Sequence, residues 1–443
     1  MAERRQRRLP DLGTGLFAVG LAEAASNLAG DSLIDRAGDV AVATTPLPVI
    51  EETIKRLGTT DKPFLRANLM AGGALAIGLL GSRRGSLSRQ VLLAGAGLLA
   101  AGLGRRALDA REAAAVRDFE LPVPTPLERV GDGADDWPGA EPFDTEPGRF
   151  YATDINLRAP AVELDSWRLE VRSPGTEARL SIDELTALGL HERDAALVCV
   201  HNRPGWDRLG QQRWTGVPIE NVLSAAGALP EDPAGFDLVT EAVDGYSQII
   251  PLAEALARRS WVVVGMAGRP LPREHGYPAR VMTPGLVGQY NGVKWLHRLA
   301  VTPSGSERAW WVRRGWPDEL IEVPPMARID SPANTGMPPR LPPPPVGVPG
   351  GRVDVVGTAW APPHGVEAVE LRVDGGAWVE AELAAEVNGD SWRRWRARPE
   401  LDPGSHTLEA RCRSRSGALQ EGSPSEPFPY GCGAFHTVEL TAR

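Results

Sequence analysis

Cysteine is nearly absent from this chain, with three residues, at 199, 412 and 432, in 443. Three thiols without paired CxxC spacing exclude a disulfide scaffold and a zinc ribbon. Cysteine chemistry must therefore rest on single residues. Cys412 and Cys432 fall near the C-terminus, where they are either a pair able to bridge in an oxidising compartment or two idle thiols. Histidine is scarce too, at 7, and no CxxCH motif occurs, which leaves electron exchange to a separate partner rather than to a c-type haem. Positive charge is in deficit, 48 Lys and Arg against 57 Asp and Glu for a net charge of -9. That balance excludes a nucleic-acid partner, because nothing is left over to neutralise phosphates.

Uninterrupted apolar runs long enough for a bilayer are also lacking, since spanning takes about 20 residues. The nearest are 67–81 and 91–104, two Ala/Gly/Leu runs of roughly 15 residues on either side of the basic loop SRRGSLSR. To span, the first would have to borrow Phe64 and Leu65, with Arg66 snorkelling to the interface. A weaker candidate covers 13–30 but carries Glu23 and Asn27, and a carboxylate in hydrocarbon is costly. Arginines at 4, 5, 7, 8, 83, 84, 105 and 106 flank these stretches, as topology signals do. The expectation is an N-terminal transmembrane helical region over 1–117 that anchors the chain in the cell membrane; the alternative is a water-soluble helical hairpin. Three crossings would put the remainder on the extracytoplasmic side, and an even number would keep it inside.

What is abundant is glycine, at 49, and proline, at 40, which calls for many turns and short strands. Residues 118–149 read as an irregular linker. From 150 to 305 strand-like stretches (SWRLEVRS, ALVCVHN, FDLVTEAV, SWVVVGMAG, KWLHRLAVT) alternate with short helical ones (SIDELTALGL, IENVLSAAGAL, PLAEALARR), the pattern of an α+β domain. A connecting segment over 306–350 contains the proline run RLPPPPVGVP, read as an extended spacer or surface loop. Over 351–443 short alternating segments with DGG at a hairpin predict an immunoglobulin-like β-sandwich. Tryptophans at 310, 311, 316, 360, 378, 392 and 395 suit core or interface anchors.

The chemically informative stretch is ALVCVHNRPGWDRLGQQRWTGVPIENVL. Cys199 closes an apolar strand there, followed by a loop with glycines at 205 and 210, so a thiolate can be presented where backbone approaches a large ligand closely. On residue type alone a buried, inert cysteine is the commoner outcome. Together with FYATDINLRAPAVELDSWRLEV before it and DGYSQIIPLAEAL and PLPREHGYPARVMTPGLVGQYNGVKWLHRLAVT after it, the stretch resembles the molybdopterin domain of the sulfite oxidase family.

The resemblance implies one molybdenum per chain, held by a molybdopterin with Cys199 as the protein's thiolate, a soft ligand suited to that metal. It implies oxygen-atom transfer at a sulfur or nitrogen centre. His275 and Arg280 of HGYPAR and Lys294 of VKWL match positions that hold pterin or phosphate, for which cations are apt. Tyr151 and Asp154 of FYATD, Asn202 and Thr215 are further cofactor positions. Asp154 departs from the Asn or His that relatives carry, so it faces pterin N–H donors or lies outside the contact shell. His201 and Arg203, with Trp206, are expected either to rim the substrate funnel, with His201 offering a proton near neutral pH, or to serve in packing. Arg213 is expected either at the cofactor or in a salt bridge.

Where vertebrate relatives gather arginines and a tyrosine around their anion, the matching positions here are Ala152, Pro204 and Trp316. An apolar wall binds a dianion poorly, which turns the expectation from sulfite to a neutral or organic sulfur or nitrogen oxide. The sandwich, introduced by WWVRRGW, resembles the family's dimerisation domain and implies a homodimer. The same departures leave open a non-catalytic descendant that keeps the fold as a cofactor-binding or membrane scaffold.

Overall fold

A computed structural model describes residues 12–57, 61–80, 87–123, 125–128, 131–333 and 345–443. The N-terminal arginines, most of the SRRGSLSR loop and the prolines at 342–344 lie outside the described residues. The chain divides into two compact units, one of 1–117 with 154–163 and one of 118–153 with 164–443.

The first unit is helical: α1 (Leu12–Leu28), α2 (Leu33–Thr44), α3 (Leu47–Leu57), α4 (Asp61–Leu80) and α5 (Leu87–Ala115). Ser32 starts α2, its hydroxyl oxygen accepting from the Asp35 N–H at 3.0 Å. Glu23 accepts from the Ser32 hydroxyl at 2.6 Å and from the Ile34 N–H at 2.9 Å. The carboxylate in α1 thus serves the neighbouring helix start, where negative charge is favoured. Helices α1 and α5 meet backbone to backbone through small residues, and a Cβ added to Gly104 would lie 2.7 Å from Ala24 Cα.

Among the described residues no helix is long and apolar enough to cross a membrane, which corrects the expected transmembrane segments. The reason lies in the charges the helices include. Arg66, expected to snorkel, instead donates to the Asp35 carboxylate at 2.7 Å and to the Leu157 carbonyl at 2.5 Å. Arg105 also reaches Asp35, and Arg158 is ion-paired with Asp109 and Glu112. The helices that carry the apolar stretches are therefore joined to one another by an ionic network.

The second unit holds four principal sheets among its described residues. In the first, β1 (Leu169–Ser173) and β2 (Thr176–Leu180) form a hairpin, and β10 (Leu296–Pro303) runs parallel to β1 and antiparallel to β5 (Phe236–Ala242), which pairs with β6 (Ser247–Pro251). The second has the order β3 (His191–Val198), β4 (Leu209–Pro218), β7 (Trp261–Met266), β8 (Arg269–Pro270), with β9 (Arg280–Met282) also on β7. Short helices α6 (Ile182–Thr186), α7 (Ile219–Ala225) and α8 (Leu252–Ala257) fall where the sequence predicts them. A capping box of Ser181 and Glu184 opens α6.

The third and fourth face each other as a sandwich. Strands β11 (Met326–Ser331), β14 (Val355–Trp360), β18 (Arg393–Ala397) and β17 (Glu382–Leu383) form one sheet. Strands β12 (Val346–Val348), β21 (His436–Ala442), β20 (Gly404–Ser414), β15 (Val366–Val373) and β16 (Val379–Glu380) form the other. Ile329, Val355 and Trp395 from one and Leu371, Leu408 and Leu440 from the other share one buried core. Cys412 is buried in it, and Cys412 and Cys432 are free thiols. The described residues of 118–149 have no helix or strand, yet Ala134 and Trp137 pack with Val356 and Ala384, and Asp132 is ion-paired with Arg394.

Candidate active site

Strands β3 and β4 are an antiparallel pair whose last rung is Val198 with Leu209. The ten residues between them, 199–208, form the site loop, and its mouth is closed by the Cys199 N–H donating to the Arg208 carbonyl at 2.9 Å. Two further bonds set the loop's shape. Asn202 N–H donates to the Cys199 carbonyl at 2.9 Å, and the Asn202 side-chain oxygen accepts from the Arg208 N–H at 2.9 Å. Gly205 has φ +82, a left-handed conformation that favours glycine, and the His436 ring occupies the space a Cβ would take.

Cys199 is buried, with its Sγ 3.1 Å from His201 Nδ1. Burial raises its pKa, while the Arg208 guanidinium and hydrogen bonds from His201, Thr153 and Val200 pull the other way. Opposite the thiol, Gly288 donates to the Val198 carbonyl at 2.7 Å. A Cβ on Gly288 would lie 3.1 Å from the Tyr151 hydroxyl and 3.2 Å from Cys199 Cα. Burial also raises the Tyr151 pKa, with Cys199 adding to it and Arg280 and Arg208 opposing. Tyr151, Cys199, Arg208 and Arg280 therefore share one electrostatic neighbourhood.

His201 departs from its expected role. Burial first, then the Arg208 and Arg203 charges, push it down to about 3, so it is neutral at physiological pH. Arg203 lies 3.5 Å from the Glu426 carboxylate and faces the Trp206 ring. Arg213 is in the salt-bridge alternative, 3.8 Å from Glu192 and 3.9 Å from Asp194.

The second group of expected residues surrounds Phe150, whose ring stacks on Tyr151 at 5.6 Å and meets Trp214 and His275 edge-on at 5.4 and 5.6 Å. Arg280 lies over Trp214 at 5.4 Å and donates to the His275 carbonyl at 3.1 Å and to the Asn291 carbonyl. Burial takes Arg280 down to about 10 and His275 to about 4. His275 Nε2 is 3.1 Å from the Pro147 carbonyl, and Lys294 Nζ donates to the Glu274 carbonyl at 2.9 Å. Thr215, on β4 beside Trp214, is fully buried. Asp154 belongs to the helical unit, where it accepts from Lys62 at 2.6 Å and from the Asn156 N–H at 3.1 Å.

Several buried polar atoms here have no partner among the described residues: Asn202 Nδ2, Arg208 Nε, Arg280 Nε, Thr215 Oγ1 and His201 Nε2. Leaving such groups unpaired costs on the order of 1–3 kcal/mol each, so together they mark the place of a polar ligand. Donors and two guanidinium groups beside a thiol fit an anionic pterin phosphate and its metal.

Arg208, Thr153 and Gly288 are not singled out by the sequence. Arg208 is legible in principle, because a hairpin closing at Val198 and Leu209 sets it opposite Cys199. Glu426 and Phe428, more than two hundred residues downstream, leave no local signal.

With that geometry in hand, comparison places the chain in a class. Residues 156–310 match the oxidoreductase molybdopterin binding domain family. Chicken (Gallus gallus) sulfite oxidase is 31% identical over 311 residues, 62% of this chain and 67% of that protein. Mouse (Mus musculus) mitochondrial sulfite oxidase is 29% identical over 60% of this chain and 55% of its own length. A chain of Azospira oryzae assigned to a protein-methionine-sulfoxide reductase as its subunit YedZ1 is 30% identical over 37% of this chain and 59% of its own. Among solved structures, sulfane dehydrogenase SoxCD from Paracoccus pantotrophus shares the fold at a TM-score of 0.55 and 18% identity, covering 75% of this chain and 92% of that one. This chain belongs to the sulfite oxidase family of molybdenum-cofactor oxidoreductases.

Proposed function

We propose that the protein reduces a neutral organic S-oxide, with Cys199 as the one protein ligand to the metal. The observation that carries this reading is the set of unpartnered buried donors in the loop that follows Cys199, His201 Nε2, Asn202 Nδ2 and Arg208 Nε, beside aromatic rings: Trp316 and His201 each lie 5.7 Å from Phe428. In the overall change a dialkyl sulfoxide takes up two electrons and two protons, its sulfur–oxygen bond breaks, and the dialkyl sulfide and water are formed. The electrons arrive from a separate electron-transfer protein. When bound, the molybdenum cofactor supplies two-electron redox chemistry and an oxygen acceptor. The chain's own groups then hold and orient: Asn202, Arg208, Thr215 and Arg280 offer donors to the cofactor, and Tyr151 and Gly288 pack against the thiol. His201, neutral and 3.1 Å from the thiol, orients it rather than carrying a proton.

The test is molybdenum and pterin analysis of purified protein together with turnover of dimethyl sulfoxide and of sulfite. About one molybdenum per chain, lost in Cys199→Ser, with dimethyl sulfoxide reduced by a dye donor, supports the reading. A protein that binds the cofactor and never cycles with sulfoxides, N-oxides or sulfite would return the non-catalytic scaffold to the front.

We also propose that the helical unit rests on a membrane surface. Leu92 and Leu99 are 73% and 65% exposed, and Leu21, Leu28, Leu75 and Leu103 are exposed as well. Exposed leucines on three Gly-packed helices suit an apolar environment better than water. Flotation with liposomes, weakened in Leu99→Asp, tests this; equal flotation would refute it. The sandwich, by its likeness to the family's dimerisation domain, is proposed as the homodimer contact, to be read by sizing of the full chain.

A further inference from the structure

The β-sandwich closes on the site loop through four independent contacts. Arg328 of β11 donates to the Trp206 carbonyl at 3.2 Å, and the His436 ring of β21 packs on Gly205. Between β20 and β21, Glu426 lies 3.5 Å from Arg203, and the Phe428 ring is 5.7 Å from His201. Phe428 also meets Trp316, which stacks on Trp311 at 4.5 Å. The segment carrying Glu426 and Phe428 thus faces the residues that directly follow Cys199.

Charge decides what such a wall admits. Of the two arginines in the site loop, Arg208 is turned inward, donating to Thr153 at 2.7 Å, and Arg203 is the one with a partly exposed side chain, at 35%. An anion approaching Arg203 meets the Glu426 carboxylate beside it, and the pair presents no net charge. Next to the pair stand aromatic rings, which do not replace the hydration of an oxyanion but cover the alkyl arms of a neutral S-oxide.

We propose that the segment 425–432 of the sandwich is the substrate-selecting wall of the site, Glu426 cancelling Arg203 and Phe428 covering the substrate's apolar arms, so that neutral organic S-oxides are admitted and oxyanions refused. This rests on the S-oxide reading above. The experiment compares the holoenzyme with Glu426→Gln, Phe428→Ala and, should the alanine variant fail to fold, Phe428→Leu. Two readouts are taken on each: calorimetric binding of inorganic sulfate, and kcat and KM for dimethyl sulfoxide with a dye donor and for sulfite with a dye acceptor.

In Glu426→Gln, sulfate affinity and the ratio of kcat/KM for sulfite over dimethyl sulfoxide are expected to rise about fivefold at low salt and to fall back as salt screens Arg203. In Phe428→Ala, the KM for dimethyl sulfoxide is expected to rise roughly tenfold with kcat less affected, a loss of binding rather than chemistry. Unchanged sulfate affinity in Glu426→Gln together with an unchanged KM in the Phe428 variants would overturn the proposal. If neither substrate is turned over, the sulfate measurement still decides: tighter binding in Glu426→Gln keeps the wall and sinks the S-oxide reading, and unaltered binding sinks both.

Discussion

The loop 199–208 and the basic group His275, Arg280 and Lys294 carry the same promise in sequence, cations and amides apt for an anionic cofactor. Their hydrogen bonds set them apart. Arg280 and Lys294 donate to the carbonyls of His275, Asn291 and Glu274, and His275 faces the Pro147 carbonyl, so much of their capacity holds the fold together. In the loop, His201 Nε2, Asn202 Nδ2 and Arg208 Nε remain unpartnered in buried surroundings. A cation bound to backbone carbonyls is costly to remove, and Arg280 keeps only its Nε for a ligand; in the loop three residues each keep a bare donor or ring nitrogen.

The sharpest break between the two regions comes from the loop. Cys199→Ser should lower molybdenum retention and turnover by more than about a hundredfold, beyond what altering the groups that merely orient a ligand causes, while the unfolding midpoint of the cofactor-free protein barely moves. Metal analysis and calorimetry read both. The basic group should do the reverse. Arg280→Leu strands two buried carbonyls and is expected to cost about 3 kcal/mol of stability, seen in chemical unfolding before any specific loss of metal. An Arg280→Leu protein that folds normally but lacks cofactor would show that its remaining Nε is the part that matters.

Gly205→Ala should cost about 1–3 kcal/mol, since a Cβ meets the His436 ring at a left-handed backbone position. Its effect on activity should exceed that of a similarly destabilising change in the sandwich core, because the loop it distorts carries Cys199. Smaller is a pH effect. Burial, followed by the Arg328 charge, holds His436 down at about 4, below its ordinary 6.5. The unfolded chain takes up that proton first, so the stability is fully present above about 6.5 and is lost as pH falls toward 4. His275 and His201 act in the same direction. His436→Asn, which keeps an acceptor for the Ile329 N–H, should flatten the acid limb of the unfolding midpoint; an unaltered limb would assign it to other groups.

Much of the architecture was legible because it is written in local periods. The strand-like stretches SWVVVGMAG and KWLHRLAVT and the helical stretch SIDELTALGL were enough to find β7, β10 and α6. The expectation of membrane-crossing helices was overturned among the described residues, where charges on separate helices come together. Arg66 and Arg105 look like flanking charges until Asp35, on a different helix, is seen to join them.

By itself the sequence determined the family, the α+β make-up of the middle domain, the C-terminal strands and the strand-end position of Cys199, because period, turn chemistry and block order are properties of neighbouring residues. Only the tertiary structure decided which polar groups are spent on the fold and which are left for a ligand. It also decided that Arg203 meets Glu426, that His201 stays neutral, and that Asp154 is bound by Lys62. Pairing and burial are set by residues brought together from distant parts of the chain, and no run of adjacent letters records them.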